Sequence, residues 1–593
     1  MSVTPRGMPL LEAYREYRSG NFIVNRRYQR KLVWSLDEKR ALIDSVLHDY
    51  PIPLILLAYS LHSDGSKSYE ILDGMQRLNA LFTFIENQFD VGGKYFDVSQ
   101  LSRAKSLADE GAFKAESDPE LLLTDEECSQ FLEYTLAVTE FPATDETAVN
   151  EVFGRINSYG RQLSAQEKRQ AGVVSSFANT VRELAAELRG DVSKDTLDLS
   201  EMPSISVDVA GEAPNYGIKA DEVFWCKQGI LRRAQLRESE DEQLIADLAI
   251  SILNEKAFNF SGKNLDEYYD PLTDDGRNIE ASIATYGATN LKSNIVGTVS
   301  ILRETIEQFD SSANAFRRIV NPGGQSNPVK TAFFAVFFAF YELCVRQRRT
   351  PTDASEIMQA LRNVQSRLNV SAGQIRSEPR IQNVGIVTGL IQQFFEEKES
   401  PTLLHGLGSS IQLENALRRS RIETAAFECK QGLVRLDNLR SSDTGLLDRI
   451  VETLCAIANI GPDSEGGLFI GVADSDADKK RVEHLDGIIA AQVGARFVVG
   501  IDRELNYLKL DLEGYKRAIV NHLGSSELSE PLKSDILARI DCIAYRGLSV
   551  ICLWIPKQSQ VSTVGDRTFI RRGSSTVEVT GVQAITAVIK RFS

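Results

Sequence analysis

The stretch "KSYEILDGMQRLNALFTFIE", residues 67–86, decides how the first part of the chain folds. Its first seven residues alternate between two faces and end at Asp73, which is typical of a β-strand. After Gly74, apolar residues recur every three or four positions from Leu78 to Ile85, which is typical of a helix. The sequence therefore predicts a strand-to-helix turn centred on Asp73 and Gly74.

Such a turn has the chemistry of an anion site. The N–H groups and positive dipole end of a helix favour an anion, and a glycine lets the backbone approach it closely. Gln76 and Arg77 could donate hydrogen bonds to phosphate oxygens, while Asp73 could orient the arginine or hold a metal-bound water. In the alternative interpretation, Asp73 only caps the helix and Arg77 is a solvated first-turn residue.

Two further stretches carry polar residues suited to the same ligand. "RRYQRKLVW" (26–34) places four cations around Tyr28 and Trp34, which would give phosphate donors beside flat surfaces for a base or sugar. "VFGRINSYGRQLSAQEKRQAG" (152–172) places Arg155 and Asn157 before a glycine turn and a helix whose start, "SAQE", is a capping box.

Taken in this order, the three stretches resemble the ParB-like N-terminal domain of GmrSD-type modification-dependent restriction proteins. That family shows a P-x-Y-Q-R-x-x-x-W stretch, a D-G-Q-Q-R stretch and an F-x-R-I-N-S-x-G-x-x-L stretch. The resemblance implies a domain that binds and hydrolyses a nucleoside triphosphate, ATP or GTP, to sense modified or foreign DNA and license a nuclease. It assigns nucleotide binding to Tyr28, Gln29, Arg30, Trp34, Gly74, Arg155 and Asn157, and catalysis to Asp73, Gln76 and Arg77.

Two positions depart from that family pattern. Met75 stands where the family usually has glutamine, which removes one amide from the turn. Asn25 or Arg26 stands where a proline is common. A His-Asn-His nuclease domain, frequent elsewhere in the family, is not expected, because none of the five histidines is paired near an Asn-rich turn.

A second group of polar residues lies near the end of the chain. In "RIETAAFECKQG" (421–432), Glu428 and Lys430 are two apart on a predicted strand and so share a face, with Glu423 five residues earlier. "LFIGVAD" then places Asp474 at the end of an apolar strand. Three such carboxylates could bind Mg²⁺ or Mn²⁺, leaving Lys430 to steady a phosphate. Alternatively, Glu428 and Lys430 are an exposed pair and Asp474 is a turn residue.

Residues 416–593 are similar to the Schlafen AlbA-like domain over most of their length. The family pattern combines an E-x-x-x-x-E-x-K element, an A-x-A-N-x-x-G-G-x-x-x-I-G-V element and a terminal R-x-G-S-S-T, and this chain carries all three, with "IGPDSE" inserted in the second. The resemblance implies nucleic-acid binding, and some relatives are metal-dependent nucleases. Their three acids map onto Glu423, Glu428 and Asp474 as metal ligands.

Basic residues cluster around these elements: Arg418, Arg419 and Arg421, then Lys479, Lys480 and Arg481, then Arg571 and Arg572. The whole chain has a net charge of -15, so any nucleic-acid site must be a local patch of this kind. A solvated surface is the simpler interpretation of any single cluster.

The remaining features bound the class of protein. A chain of 593 residues is expected to fold as about three or four domains. Its seven cysteines are scattered without a C-x-x-C pair, which predicts a reducing cytoplasm. No signal peptide is visible. The apolar run "TAFFAVFFAFYELC" (331–344) is too short to cross a bilayer and predicts a buried helix.

We therefore predict an α/β plus all-α architecture in three parts joined by a linker. Residues 1–124 form a small ParB-like α/β unit. Residues 125–395 form a helical body whose first part, to about residue 240, completes that unit. Residues 396–415 are the linker, and residues 416–593 form the mixed α/β Schlafen AlbA-like domain.

The predicted function is an anti-phage defence protein in which a nucleotide-dependent sensor is coupled to a metal-dependent nuclease. DNA is favoured over RNA as its target, and a homo-oligomer is compatible with the sequence. Two alternatives stay open: a nucleotide-regulated DNA-binding regulator that does not cleave, and a nuclease directed at RNA such as tRNA.

Overall fold

The computed structural model describes the chain apart from residues 1–3, 27–30, 62–66, 110–112, 114, 144–163, 171–172, 174, 192–195, 203, 207–216, 325–326, 370–375, 399–409, 421–424, 439, 442, 444, 463 and 593.

The N-terminal part is built on a six-stranded mixed sheet with the order β1-β5-β3-β4-β2-β6. β5 runs parallel to β3 and antiparallel to β1, so it joins the first strand of the chain to the sheet centre. Two of the strands come from beyond residue 124. The strands are β1 (Thr4–Pro9), β2 (Phe22–Asn25), β3 (Ile55–Leu61), β4 (Lys67–Asp73), β5 (Thr135–Pro142) and β6 (Thr196–Asp198).

Helices pack on this sheet around α3, which follows β4 directly. Every residue of α3 except Gln76 is buried, because the aromatic and aliphatic side chains of this helix lie on all of its faces and do not form a single stripe. Phe82 lies at the centre of this core and packs on Tyr14, Tyr17 and Phe22. The helices are α1 (Leu10–Arg18), α2 (Leu36–Leu47), α3 (Met75–Ile85), α4 (Ser102–Asp109) and α5 (Asp125–Glu133).

A helical body follows the N-terminal sheet. Its helices are α6 (Ala165–Gln170), α7 (Ser176–Arg189), α8 (Phe224–Lys227), α9 (Arg233–Arg237), α10 (Glu240–Leu253), α11 (Gly262–Tyr269), α12 (Asp274–Tyr286), α13 (Ala288–Phe309), α14 (Ala315–Val320), α15 (Lys330–Phe340), α16 (Ala354–Ala360) and α17 (Ser377–Ile391). Two short ladders accompany them: β7 (Ser204–Ser206) with β8 (Gly217–Lys219), and β9 (Thr350–Pro351) with β10 (Phe395–Glu396).

The apolar run at 331–344 is the central helix of this body. It forms α15 and continues into a π-helical turn, Tyr341–Arg346. Phe333, Phe337 and Phe340 are completely buried. The predicted buried helix is therefore confirmed, and none of the helices in the described ranges is both long and apolar enough to cross a membrane.

The C-terminal part has a four-stranded sheet with the order β11-β12-β17-β16, a three-stranded sheet β13-β15-β14 and the hairpin β18-β19. Its strands are β11 (Phe427–Lys430), β12 (Gly466–Ile470), β13 (Val472–Ala473), β14 (Ala491–Val493), β15 (Arg496–Val498), β16 (Ile540–Tyr545), β17 (Leu548–Ile555), β18 (Thr568–Arg572) and β19 (Ser575–Val579).

Helices cover this sheet and connect it to the rest of the chain. α18 (Ser410–Arg419) begins inside the segment predicted as a linker, and it contacts α7 of the helical body as well as β11, β14 and β16. The others are α19 (Leu446–Ala458), α20 (Asp476–Asp486), α21 (Leu505–Leu508), α22 (Leu512–Ser525), α23 (Leu532–Leu537) and α24 (Val582–Ile589). α19 packs against β12 and the β18-β19 hairpin.

Candidate functional site

The predicted turn lies between β4 and α3. Gly74 is the residue before the helix and has φ of 101°, a left-handed conformation that favours glycine. A Cβ at this position would lie 3.0 Å from Cγ1 of Ile55, so the turn is also tightly packed. The N–H groups of the first helical turn, from Met75 onwards, have no carbonyl one turn earlier to bond.

Arg77 and Asp73 form an ion pair across this turn. Arg77 Nη2 lies 2.9 Å from Asp73 Oδ2, and the arginine side chain is 10% exposed against 49% for the aspartate. No side chain caps α3 at Gly74. The alternative in which Asp73 caps the helix and Arg77 is solvated is therefore wrong. Asp73 instead orients a largely buried guanidinium beside the helix N-terminus.

Gln76 uses its amide on the main chain of a neighbouring segment. Its Oε1 accepts hydrogen bonds from the N–H of Val33 at 3.1 Å and of Trp34 at 3.3 Å. Its Nε2 donates to the carbonyl oxygen of Lys31 at 2.9 Å. The segment that contains Trp34 and the turn that contains Arg77 are thus brought together, as the hypothesis of one site requires.

Two cations of the stretch 26–34, Arg26 and Lys31, lie within the described residues, and their contacts differ from the predicted role of phosphate donors. Arg26 donates from Nη1 to the carbonyl oxygen of Asp191 at 3.0 Å and pairs with its carboxylate. Lys31 donates to the carbonyl oxygen of Leu236 at 2.8 Å. Both side chains are buried. Burial, followed by the nearby charge of Arg189, lowers the pKa of Lys31. These two cations anchor the stretch to the helical body and are not phosphate donors.

Arg26 is bound by a buried charge cluster through Asp191. Arg189 of α7 pairs with Asp191 at 3.1 Å and with Asp241 at the start of α10. All three side chains are at most 1% exposed. Buried charges of this kind are tolerated only when they are paired and hydrogen-bonded. No sequence motif indicated the cluster, because Asp241 lies 52 residues after Arg189.

Of the predicted nucleotide residues not yet located, Trp34 is the one within the described residues. Trp34 is partly buried and packs against the N-terminal core. The capping box at Ser164 is present, with the Ser164 N–H donating to Glu167 at 2.8 Å and the Glu167 N–H donating back at 3.2 Å. Tyr28, Gln29, Arg30, Arg155 and Asn157 lie outside the described residues.

In the C-terminal part, Glu428 and Lys430 share a face of β11, as the spacing predicted. Lys430 Nζ lies 2.6 Å from Glu428 Oε1, while Phe427 and Cys429 on the opposite face are buried. Sequence reasoning missed a third member. Arg571 of β18 pairs with Glu428 Oε2 at 2.8 Å, and its side chain is 1% exposed. The motif letters R-x-G-S-S-T marked this residue without indicating its partner.

Asp474 follows β13 and is held by an arginine. Arg496 of β15 forms an ion pair with its carboxylate, and the same guanidinium donates to Ser420 just after α18, at 2.8 Å to Oγ and 3.1 Å to the carbonyl oxygen. Cys429 lies within the electrostatic range of both residues, and burial raises the pKa of its thiol to about 12. That thiol is therefore a packed side chain and not a reactive one.

The residues proposed for a metal do not form a ready site in the described structure. Glu428 and Asp474 each bond an arginine, and Glu423 lies outside the described residues. Across the part of the chain that is described, no three His, Cys, Asp or Glu side chains converge where a metal ion could bind. The three-acid metal site stays a prediction.

The basic clusters are partly used for internal contacts. Arg418 lies 3.7 Å from Glu222 and 3.8 Å from Glu414, and Arg419 lies over the ring of Phe427. Arg481 donates to the carbonyl oxygen of Leu436. Lys480, paired with Asp476, and Arg572 are exposed. Arg421 lies outside the described residues.

A further buried ion pair joins the helical body to the C-terminal sheet. Glu414 of α18 accepts two hydrogen bonds from Arg303 of α13, at 2.6 and 3.1 Å, and one from the hydroxyl of Tyr545 of β16, at 2.5 Å. Burial alone would raise the pKa of Glu414, but the charges of Arg303 and Arg418 outweigh it and hold that pKa well below its ordinary value. We call Arg303, Glu414 and Tyr545 the α18 clamp.

Comparison with known proteins identifies the N-terminal domain. Residues 10–174 match the family model described as the GmrSD restriction endonuclease, N-terminal domain. The match spans the Asp73–Arg77 turn and both motif stretches around it, so the first resemblance is confirmed. Searches among curated proteins and among solved structures gave no match. The Schlafen AlbA-like resemblance of residues 416–593 stays a prediction.

Proposed function

We propose that this chain is a restriction-type anti-phage defence nuclease that acts on foreign or modified DNA under the control of a nucleoside triphosphate. The observation that carries the proposal is the match of residues 10–174 to the N-terminal domain of a restriction endonuclease, a range that includes the Asp73–Arg77 turn. The target class, the nucleotide and the coupling between them are our inferences.

The nucleotide would bind at the Asp73–Arg77 turn. A triphosphate needs positive charge and N–H donors at close range, and the turn offers Arg77, fixed by Asp73, beside the N-terminus of α3. A guanidinium held in one orientation loses less conformational freedom on binding than a solvated one. Trp34 on the adjacent segment would give the flat surface for the base or sugar.

The two motif stretches, 26–34 and 152–172, would supply the other predicted nucleotide ligands. They are Tyr28, Gln29, Arg30, Arg155 and Asn157. ATP and GTP are both compatible with the described groups. Hydrolysis at the turn that contains Asp73, Gln76 and Arg77 is proposed on the family resemblance, with Asp73 and Arg77 as the groups that would face the phosphates.

The C-terminal part would contact the DNA. Three cationic side chains of this part are partly or fully exposed and could bind phosphates: Lys430, Lys480 and Arg572. They belong to a chain whose net charge is -15. Cleavage would need Glu423, Glu428 and Asp474 to assemble around Mg²⁺ or Mn²⁺. Glu428 and Asp474 each bond an arginine, so both carboxylates would have to leave these partners before they could hold a metal.

That same pairing favours a second candidate function. A carboxylate bonded to an arginine is compensated without a metal, so the C-terminal part could bind DNA without cutting it. The chain would then be a nucleotide-regulated DNA-binding regulator.

Coupling between the two ends would pass through α18. This helix is clamped to α13 and β16 by Glu414, and its C-terminal end is held by Arg496, which also holds Asp474. A shift of the helical body would therefore reach the candidate C-terminal site through packed and ion-paired groups, as energetic coupling requires.

The test uses the full-length protein and the variant Arg77→Ala. Calorimetric titration with ATP and with GTP should show micromolar to millimolar binding that falls by at least tenfold in the variant, because a charge-assisted hydrogen bond to phosphate is lost. Arg40→Ala is the matched control. Arg40 of α2 is also paired with an aspartate, Asp90, which follows the C-terminal end of α3, so its loss should leave binding unchanged.

Cleavage is measured on the same samples with labelled unmodified DNA, modified DNA and RNA, with and without Mg²⁺, Mn²⁺ and nucleotide. Nucleotide-dependent loss of intact DNA supports the nuclease. DNA binding without cleavage under every condition supports the regulator. Equal nucleotide affinity in wild type and Arg77→Ala would remove the turn from the nucleotide site.

A further inference from the structure

Gln76 has a side-chain amide that is almost fully used within the protein. A primary amide offers two acceptor positions on its oxygen and two N–H donors. The N–H groups of Val33 and Trp34 take both acceptor positions, and the carbonyl oxygen of Lys31 takes one donor. Gln76 therefore has at most one N–H left for a ligand.

These contacts fix a segment that is distant in sequence. Val33 and Trp34 lie more than 40 residues before Gln76, and both bonds go to main-chain atoms, so they hold the backbone whatever the side chains are. The segment leads directly into Ser35, whose side chain caps α2. Gln76 thus joins the start of α3 to the start of α2.

The same segment is also tied to the helical body. Lys31 is buried and donates to the carbonyl oxygen of Leu236 in α9, and the next residue of α9, Arg237, donates to Glu38 in the first turn of α2 at 2.7 Å. The main chain at 31–34 is therefore held from two sides, by α3 through Gln76 and by α9 through Lys31.

We propose that Gln76 is a positioning residue for the nucleotide site: its amide holds residues 31–34 beside the Asp73–Arg77 turn and does not bind the phosphates. The part concerning the nucleotide rests on the proposed function. We call the hydrogen-bonded link between α3 and residues 31–34 the bracket. It exists without any ligand and can be tested without one.

The first measurement is hydrogen–deuterium exchange of the nucleotide-free protein. Gln76→Ala removes all three bonds, so exchange at the amides of Val33 and Trp34 should accelerate on the order of tenfold or more. Gln76→Glu keeps the two acceptor contacts but cannot donate to Lys31, and its exchange should lie between wild type and Gln76→Ala. Arg77→Ala, which removes none of these bonds, should exchange as wild type does at both amides.

The second measurement compares a nucleoside triphosphate with the corresponding monophosphate in calorimetric titrations. Loss of a positioning residue should weaken both ligands by the same factor, because the disordered segment serves the whole site. Loss of a phosphate ligand should weaken the triphosphate more. We therefore expect equal losses in Gln76→Ala and unequal losses in Arg77→Ala.

Unchanged exchange at Val33 and Trp34 in Gln76→Ala would overturn the bracket, and a selective loss of triphosphate affinity in that variant would make Gln76 a phosphate ligand. If the wild type binds no nucleotide, the proposed function fails while the exchange measurement still decides the bracket. Should Gln76→Ala fail to fold, Gln76→Glu provides both measurements, since it retains two of the three bonds.

Discussion

Replacing Glu414 by glutamine tests whether the α18 clamp holds the helical body to the C-terminal sheet. The substitution keeps the shape and one oxygen acceptor but removes the charge that faces Arg303. Both side chains are at most 10% exposed, so water cannot compensate the remaining guanidinium. Breaking a buried ion pair costs about 3–5 kcal/mol, and we expect the lower end because Arg303 keeps its contact with Glu307 at 3.2 Å.

A loss of about 3 kcal/mol corresponds to a fall of roughly 6–12 °C in the unfolding temperature of a part of this size. Differential scanning calorimetry of the full chain at pH 7 measures it, with each transition followed separately because a multidomain chain does not unfold in two states. The control is Glu342→Gln, which removes the carboxylate of a partly exposed helical pair with Arg346 at 3.6 Å and should change stability by less than about 1 kcal/mol.

The same variant gives a pH dependence of known sign. The pKa of Glu414 is lower in the folded chain than in the unfolded one. Its contribution to stability is therefore fully present above the ordinary glutamate pKa of about 4.3 and is lost as the pH falls through the lower folded value. The difference between wild type and Glu414→Gln should narrow as the pH falls below about 4. Equal unfolding temperatures at pH 7, or a difference that widens in acid, would refute the clamp.

Two further outcomes follow from the turn and from the C-terminal site. Gly74→Ala should destabilise the protein by about 1–2 kcal/mol, because alanine is strained at φ of 101° and its Cβ would contact Ile55. The control Gly92→Ala, at φ of 59° with open space around it, should destabilise the protein less. Equal shifts of the unfolding temperature in the two variants would contradict this. If the C-terminal part cuts through a metal, Glu428→Gln should lower cleavage by orders of magnitude and retain DNA affinity, and EDTA should abolish cleavage. A Glu428→Gln protein that cuts like wild type would remove this carboxylate from the mechanism.

Local patterns predicted those parts of the fold that depend on neighbours in sequence. The alternation up to Asp73, the glycine and the apolar period from Leu78 are contained in 20 residues, and the strand, turn and helix are present as predicted. The face shared by Glu428 and Lys430 follows from the two-residue period of a strand and is present as well.

The pairing of distant groups could not be predicted in this way. Arg303 and Glu414 are 111 residues apart, and Arg571 and Glu428 are 143 apart, so no spacing rule relates them. The partners of the Gln76 amide are main-chain atoms, which leave no signature in the side-chain sequence, so these contacts could not be predicted. For the same reason, the sequence predicts phosphate donors at Arg26 and Lys31, whereas in the structure both are buried and donate to the carbonyl oxygens of Asp191 and Leu236.

The strand order of the N-terminal sheet has a consequence for how the chain is made. β5 bonds both β1 and β3, and β6 closes the other edge, so the sheet cannot be completed until residue 198 has left the ribosome. Until β5 has been made, at residue 142, the nascent chain presents β3 with an unpaired edge, and open edges recruit other strands. Synthesis before residue 142 therefore leaves a strand edge open to aggregation, and a chain ending at residue 124 would keep that open edge permanently.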